Sequence, residues 1–196
     1  MKKLLLVFVC IISFNCANNK KPILGDTEWQ KEMNTFFKDA TSSPLKDKYR
    51  KNFEGLDFFK FDSTYVVLAS LKRTPESEPF KMRTSTKRLP VYKVFGELEF
   101  TLKGEFLKLN IYQNIESEDK DYLFLPFLDQ TNGETSYSGG RYIETSIPEG
   151  NKMIIDFNEA FNPYCAYNDK YSCPIVPRVN YLPIKIEAGV KAFKKH

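Results

Sequence analysis

The stretch 97-ELEFTLKGEFLKLNIYQ-113 decides the fold class. Leu98, Phe100 and Leu102 alternate with Glu97, Glu99, Thr101 and Lys103, the period of a strand with one buried face. Lys103-Gly104 is a short turn. The pattern then returns with Leu107, Leu109 and Ile111 on one face. Two such strands joined by a tight turn make an antiparallel hairpin. Outward from it the same period recurs in short segments separated by polar turns: 64–71, 121–129, 141–147, 152–157 and 182–187. Pro126, inside one of them, marks an edge or a bulge because it cannot donate to a ladder. The expected fold is mainly β with an α+β start: an antiparallel sandwich or small barrel of about seven to eight strands.

Two helices precede the strands. Asp26 is placed to cap a helix carrying Trp29, Met33, Phe36 and Phe37 at i, i+4, i+7 and i+8. In 42-SSPLKDKYRKNFEGL-56, Ser43 is the expected N-cap, Pro44 the first helical residue and Gly55 the stop. Leu45, Tyr49 and Phe53 would face inward.

The chain begins MKKLLLVFVCIISFNC, a basic start and a short apolar run ending at Cys16. The run falls short of the ~20 residues that span a bilayer and has the form of a signal-peptide core. The cysteine in place of an A-x-A site resembles a bacterial lipoprotein leader, in which Cys16 becomes the acylated first residue. The loose Ser13-Phe14-Asn15 before it resembles leaders of Bacteroidetes-type bacteria. The expected organisation is a signal peptide at 1–15, lipidated Cys16 and a polar tether to 25, and one globular domain at 26–196. The expected location is the cell envelope, on the periplasmic or outer-membrane face, with the membrane as partner through the lipid.

The 196 residues, 15% of them aromatic, suffice for one packed core. The net charge of +4 falls to +2 once Lys2 and Lys3 leave with the leader. That is too mild for a nucleic-acid partner, and the run Lys81, Arg83, Lys87, Arg88 has the character of a solvated strand edge. With Cys10 in the leader and Cys16 lipidated, Cys165 and Cys173 remain. In an oxidising compartment the default is a disulfide. Free thiols and a metal site are the rivals. A structural zinc wants four ligands, and the single histidine is His196, so no metal is expected.

Three stretches stand outside the strand pattern: 56-LDFFKFDSTYVV-67, 123-LFLPFLDQTNGETSYSGGRYI-143 and 156-DFNEAFNPYCAYNDKYSCPIVPRVNYLP-183. In order and spacing they resemble the bacterial family known as domain of unknown function 1684, from about residue 40 to the C-terminus. One departure is Val190, where relatives tend to have Glu. No activity comes with the resemblance; it implies an architecture and a set of candidate positions.

The candidate polar site is Asp129, Thr131, Arg141, Tyr142, Asp156, Asn158, Asn162 and Asn180. Asp129 and Asp156 each stand where an apolar strand turns polar. Arg141 follows the pair Gly139-Gly140 and carries a planar fork suited to a carboxylate. The asparagines can bond either loop backbone or a polyhydroxy ligand. The third stretch is expected to bring Asp156 and Asn158 beside Arg141, which would hold the Asp156 carboxyl ionised. Several chemistries are excluded. A Ser-His-Asp or Cys-His nucleophile lacks its histidine. In 129-DQTNGETSYSGG-140, Glu134 replaces the glycine and Gly140 the bidentate Glu of an EF-hand. No phosphate-loop or dinucleotide fingerprint occurs, and no cofactor is expected. Two readings survive: a binding or interaction module built on this polar site, and a small hydrolase or lyase using Asp129, Asp156 and Arg141.

Overall fold

The computed structural model describes residues 25–193. The leader, Cys16 and most of the tether lie outside them. Seven strands form one antiparallel sheet curled into a half-barrel. They are β1 (Val66–Arg73), β2 (Phe80–Lys81), β3 (Val91–Leu102), β4 (Glu105–Asn114), β5 (Tyr122–Phe127), β6 (Arg141–Ser146) and β7 (Lys152–Asp156). Along the sheet the order is β6-β5-β4-β3-β1-β7, with β2 paired to β3.

The central hairpin forms as the alternation requires. Leu98 pairs with Leu109 and Phe100 with Leu107, all buried, while Glu97 and Glu99 face Lys108 on the outer side. Its turn residues, Lys103 and Gly104, both have positive φ (52° and 84°), the conformation that matches the twist of the flanking strands. The concave face holds the main core, from Leu71 and Leu98 through Phe127 and Phe157. The convex face of β3–β6 carries a second, aromatic cluster of Tyr92, Tyr112, Phe124 and Tyr142 under Met82 and Val176.

Helix α1 (Glu28–Lys38) buries Phe37 against Phe53 and Tyr167. Its N-cap is Thr27, whose hydroxyl accepts from the Gln30 N–H at 3.2 Å, one residue after the expected Asp26. The second helix shrinks to a single turn, α2 (Asp47–Arg50). Ser43 does accept from the Leu45 N–H, but its own hydroxyl donates to Phe37 O, tying the chain back to α1. Leu45 and Phe53 are buried as expected, through packing rather than through helix.

The segment 182–187 is not a strand. Leu182, Ile186 and Ala188 are fully buried and close the open side of the half-barrel as irregular chain. Pro183 lacks a ladder donor, and the Ile186 N–H and C=O are taken by side chains described below. Among the described residues no helix is long and apolar enough to cross a membrane.

Candidate functional site

Arg141 opens β6 and is completely buried. Gly140 before it has φ +87°, and a Cβ there would stand 2.6 Å from Phe127 O, so only glycine fits. The guanidinium lies inward among acceptors. Its Nη2 donates to Asp129 Oδ2 at 2.9 Å, to Ile186 O at 2.7 Å and to Thr131 Oγ1 at 3.5 Å. Its Nη1 donates to Ala188 O. Asp129 is equally buried at its side chain, and its Oδ1 accepts from Thr131 N at 2.8 Å and Ile186 N at 3.1 Å. Burial pulls the Arg141 pKa down and Asp129 opposes the shift. Asp129, Thr131 and Arg141 therefore form one knot, and what it binds is the backbone of residues 186–188.

Asp156 does not join it. Its Oδ1 accepts from both the N–H and the Nδ2 of Asn158, each at 2.8 Å. The reason is strand order. Asp156 ends β7 and pairs with Val66 of β1, while Arg141 begins β6, the other end of the sheet path. The two carboxylates that looked alike in sequence have separate partners. Tyr142 follows Arg141 and so faces the opposite side of the strand. Its hydroxyl donates to Pro174 O, and its ring meets Phe124 edge-on at 4.7 Å.

The asparagines act as stand-ins for peptide groups. Asn180 Oδ1 accepts from Asn110 N at 2.9 Å, and its Nδ2 donates to Asn110 O at 2.7 Å and Pro126 O at 2.6 Å. It bridges β4 to β5 beside Pro126, which has no N–H for the ladder. Asn158 does the same for Asp62, accepting from its N–H at 3.1 Å and donating to its C=O at 3.0 Å. Asn162 Nδ2 donates to Lys191 O at 2.8 Å and to the Tyr167 hydroxyl at 3.1 Å. Buried amides of this kind fix irregular chain where strands cannot.

Cys165 and Cys173 are free thiols; the expected disulfide is not formed in this structure. The two residues nevertheless touch, with Cys165 N donating to Cys173 Sγ at 3.2 Å. Among the described residues no three His, Cys, Asp or Glu side chains come together as a metal site.

Sequence reasoning missed two features. Asn132 holds the knot's own loop: its Oδ1 accepts from Asp129 N at 2.7 Å, and its Nδ2 donates to Ser136 Oγ and Tyr137 O. A cleft of about 510 Å³ lies between α2 and residues 191–193, lined by Lys48, Tyr49, Asn52, Phe53, Asp57 and Lys191 among others. The Asn-Gly turn at 132–133 signalled the first. Nothing local signals the second, because its walls come from distant parts of the chain.

No curated protein matches the chain. A solved structure does: the solution NMR structure of an uncharacterized protein of Haloarcula marismortui is 34% identical, covers 85% of this chain and 92% of its own, and superposes with a TM-score of 0.68. The model of the family described as "protein of unknown function (DUF1684)" matches residues 51–191. Those residues hold all seven strands, the Arg141 knot and the three asparagine bridges, and the chain belongs to that family.

Proposed function

We propose that this protein is a non-catalytic binding module of the cell envelope of a Bacteroidetes-type bacterium, tethered through lipid on Cys16. The observation that carries the reading is the complete burial of Arg141 and Asp129. Neither side chain is open to solvent, and both oxygens of Asp129 are already engaged. An accessible concavity lies instead beside α2, and its volume of about 510 Å³ is in the range of small-ligand sites. Its walls combine the Tyr49 and Phe53 rings, the Asn52 amide and the Lys191–Asp57 ion pair at 3.4 Å. Rings flanked by an amide and paired charges suit a small polar ligand with an apolar face, such as a glycan fragment.

The test uses the mature chain against cell-wall glycan fragments by thermal shift, followed by titration calorimetry of any hit. Binding that disappears in Tyr49→Ala and survives removal of residues 194–196 supports the cleft. Turnover of an ester or glycosidic substrate that Asp156→Asn abolishes would restore the hydrolase or lyase reading. Cys16→Ser is expected to release the protein from the membrane fraction and to end labelling by a fatty-acid probe.

A further inference from the structure

Residues 165–173 form a loop whose two ends meet. Cys165 lies in the 3₁₀ turn Tyr164–Ala166, and its N–H donates to Cys173 Sγ at 3.2 Å. The Cys165 sulfur has the Cys173 thiol and the Ser85 and Tyr137 hydroxyls as its polar neighbours. Ser85 fixes the other end: its Oγ accepts from Cys173 N at 3.1 Å, and its N–H donates to Cys173 O at 2.8 Å. The Tyr137 ring occupies space that a Cβ at Gly139 would enter at 2.5 Å. Cys173 is buried, while Cys165 in front of it is partly exposed. The titratable groups facing the pair are the phenols Tyr137, Tyr142 and Tyr164, and the Arg88 guanidinium bonds Ser172 O at 2.7 Å next to Cys173. Neither the Arg141 knot nor the cleft uses these groups.

A partly exposed thiol backed by a buried one is the arrangement that two-step disulfide exchange requires. We propose that Cys165 and Cys173 are a thiol–disulfide exchange site whose substrates are disulfides, with Cys165 as the attacking sulfur and Cys173 as the resolving one. The Cys165 thiolate attacks one sulfur of the incoming disulfide; a mixed disulfide forms and the other sulfur leaves as a thiolate. Cys173 then loses its proton to solvent and attacks Cys165 Sγ. The second substrate sulfur leaves, and a Cys165–Cys173 disulfide remains. The protein pair has lost two electrons, and the substrate has gained them as two thiols. The bond expected from sequence is thus the oxidised product of the site.

The local electrostatics agree with these roles. The Cys173 S–H, Ser85 and Tyr137 hold the Cys165 thiol down to about 6, against the cost of its burial. The same bond to Cys165, together with burial, holds Cys173 up. Capture of Cys165 in a mixed disulfide removes the charge that keeps Cys173 protonated, so the second step follows the first.

The reduced mature chain is alkylated with iodoacetamide from pH 4.5 to 9, and Cys165 modification is read by peptide mass spectrometry. An inflection near pH 6 is expected, moving upward in Tyr137→Phe and in Cys173→Ser. At pH 6 the folded chain should react roughly tenfold faster than the urea-unfolded chain: the thiolate fraction favours it by ~150-fold, and the lower nucleophilicity of an acidic thiol takes most of that back. Glutathione disulfide is expected to leave a transient adduct on Cys165 that persists in Cys173→Ser. A disulfide-bonded peptide, run in parallel, distinguishes a protein source of substrate from a small-molecule one. An inflection at the ordinary thiol value of ~8.5 overturns the proposal, as does an adduct on Cys173 first. So does a Cys165–Cys173 bond that exchanges with neither probe while the chain is folded, the behaviour of a permanent staple.

Discussion

The Arg141–Asp129 knot and the 165–173 loop are both polar clusters withdrawn from bulk water, and they differ in what their groups can still do. In the knot a charged pair at 2.9 Å is walled in completely, and both side chains also bond the backbone of 186–188, while the Arg141 Nε–H is left without a partner. Its arginine carries a charge that does not change near neutral pH. In the loop the fixed charge of Arg88 is bonded to Ser172 and not to either sulfur. Hydroxyls and thiols surround Cys165, and one proton there moves within the physiological range. The difference teaches that burial of charge fastens, whereas partial burial of a neutral, titratable group leaves chemistry available.

The largest effect that could break this comparison is expected at the knot. Arg141→Leu leaves the Asp129 carboxylate buried without its partner and should lower unfolding free energy by about 3–5 kcal/mol in urea titrations. The double variant Arg141→Met with Asp129→Leu should lose distinctly less, since it removes both charges. If the single and double variants lose the same amount, the knot is not held by its charge pair. Next comes Asn180→Leu, which strands the Asn110 N–H and two carbonyls between β4 and β5. A loss of about 2–3 kcal/mol is expected, with hydrogen-exchange protection falling first at β5.

The loop predicts a pH dependence. The folded Cys165 pKa lies below that of the unfolded chain, so the unfolded state holds more protons between the two values. Its contribution is therefore fully present above ~8.5 and is lost as pH falls through about 6. Measured as wild type minus Cys165→Ser, stability should rise by about 1 kcal/mol across that interval, a figure reduced for the partial exposure of the thiol. At higher pH the held-up Cys173 reverses the gain. A difference that is flat with pH would place the loop with the knot, as a purely structural element. The smallest effect is expected at Asp156→Ala, which removes an acceptor for the Asn158 N–H and Nδ2 at a short 3₁₀ turn. About 0.5–1 kcal/mol should be lost, and a much larger loss would give Asp156 a role beyond capping.

Much of the fold is legible in local pattern. Strict alternation at 97–113 and the Lys103-Gly104 turn specify the hairpin, because a period of two can bury only one face and a tight turn sets the register. β5, β6 and β7 were legible for the same reason. The pattern failed where side chains replace ladder partners. At 182–187 the apolar residues do bury, and Leu182 and Ile184 bond the backbone of 128–130, but Asp129 and Arg141 take the Ile186 groups that would have continued the pairing. β2 is not legible because Phe80–Lys81 is too short to show a period, and the first residues of β3 are not because a bulge between Val94 and Gly96 breaks the alternation. In α2 the apolar spacing was read as helix, although tertiary contacts to Phe37 and Tyr167 account for the burial.

For the candidate site, sequence by itself identified the residues but not their pairing. Asp129 and Asp156 both end apolar strands, and nothing within a few residues of either tells which will meet Arg141. Strand order decided it, by setting β6 and β7 at opposite ends of the sheet path. The same holds for the asparagines, since an amide offers one donor group and one acceptor whether it faces a ligand or a peptide. Only the fold, by bringing Asn110, Pro126 and Asp62 within reach, assigned Asn158 and Asn180 to backbone. Alternation, turns and caps are interactions between near neighbours and can be read along the chain. The partner of a buried charge or amide lies far away in sequence and exists only once the strands have been ordered.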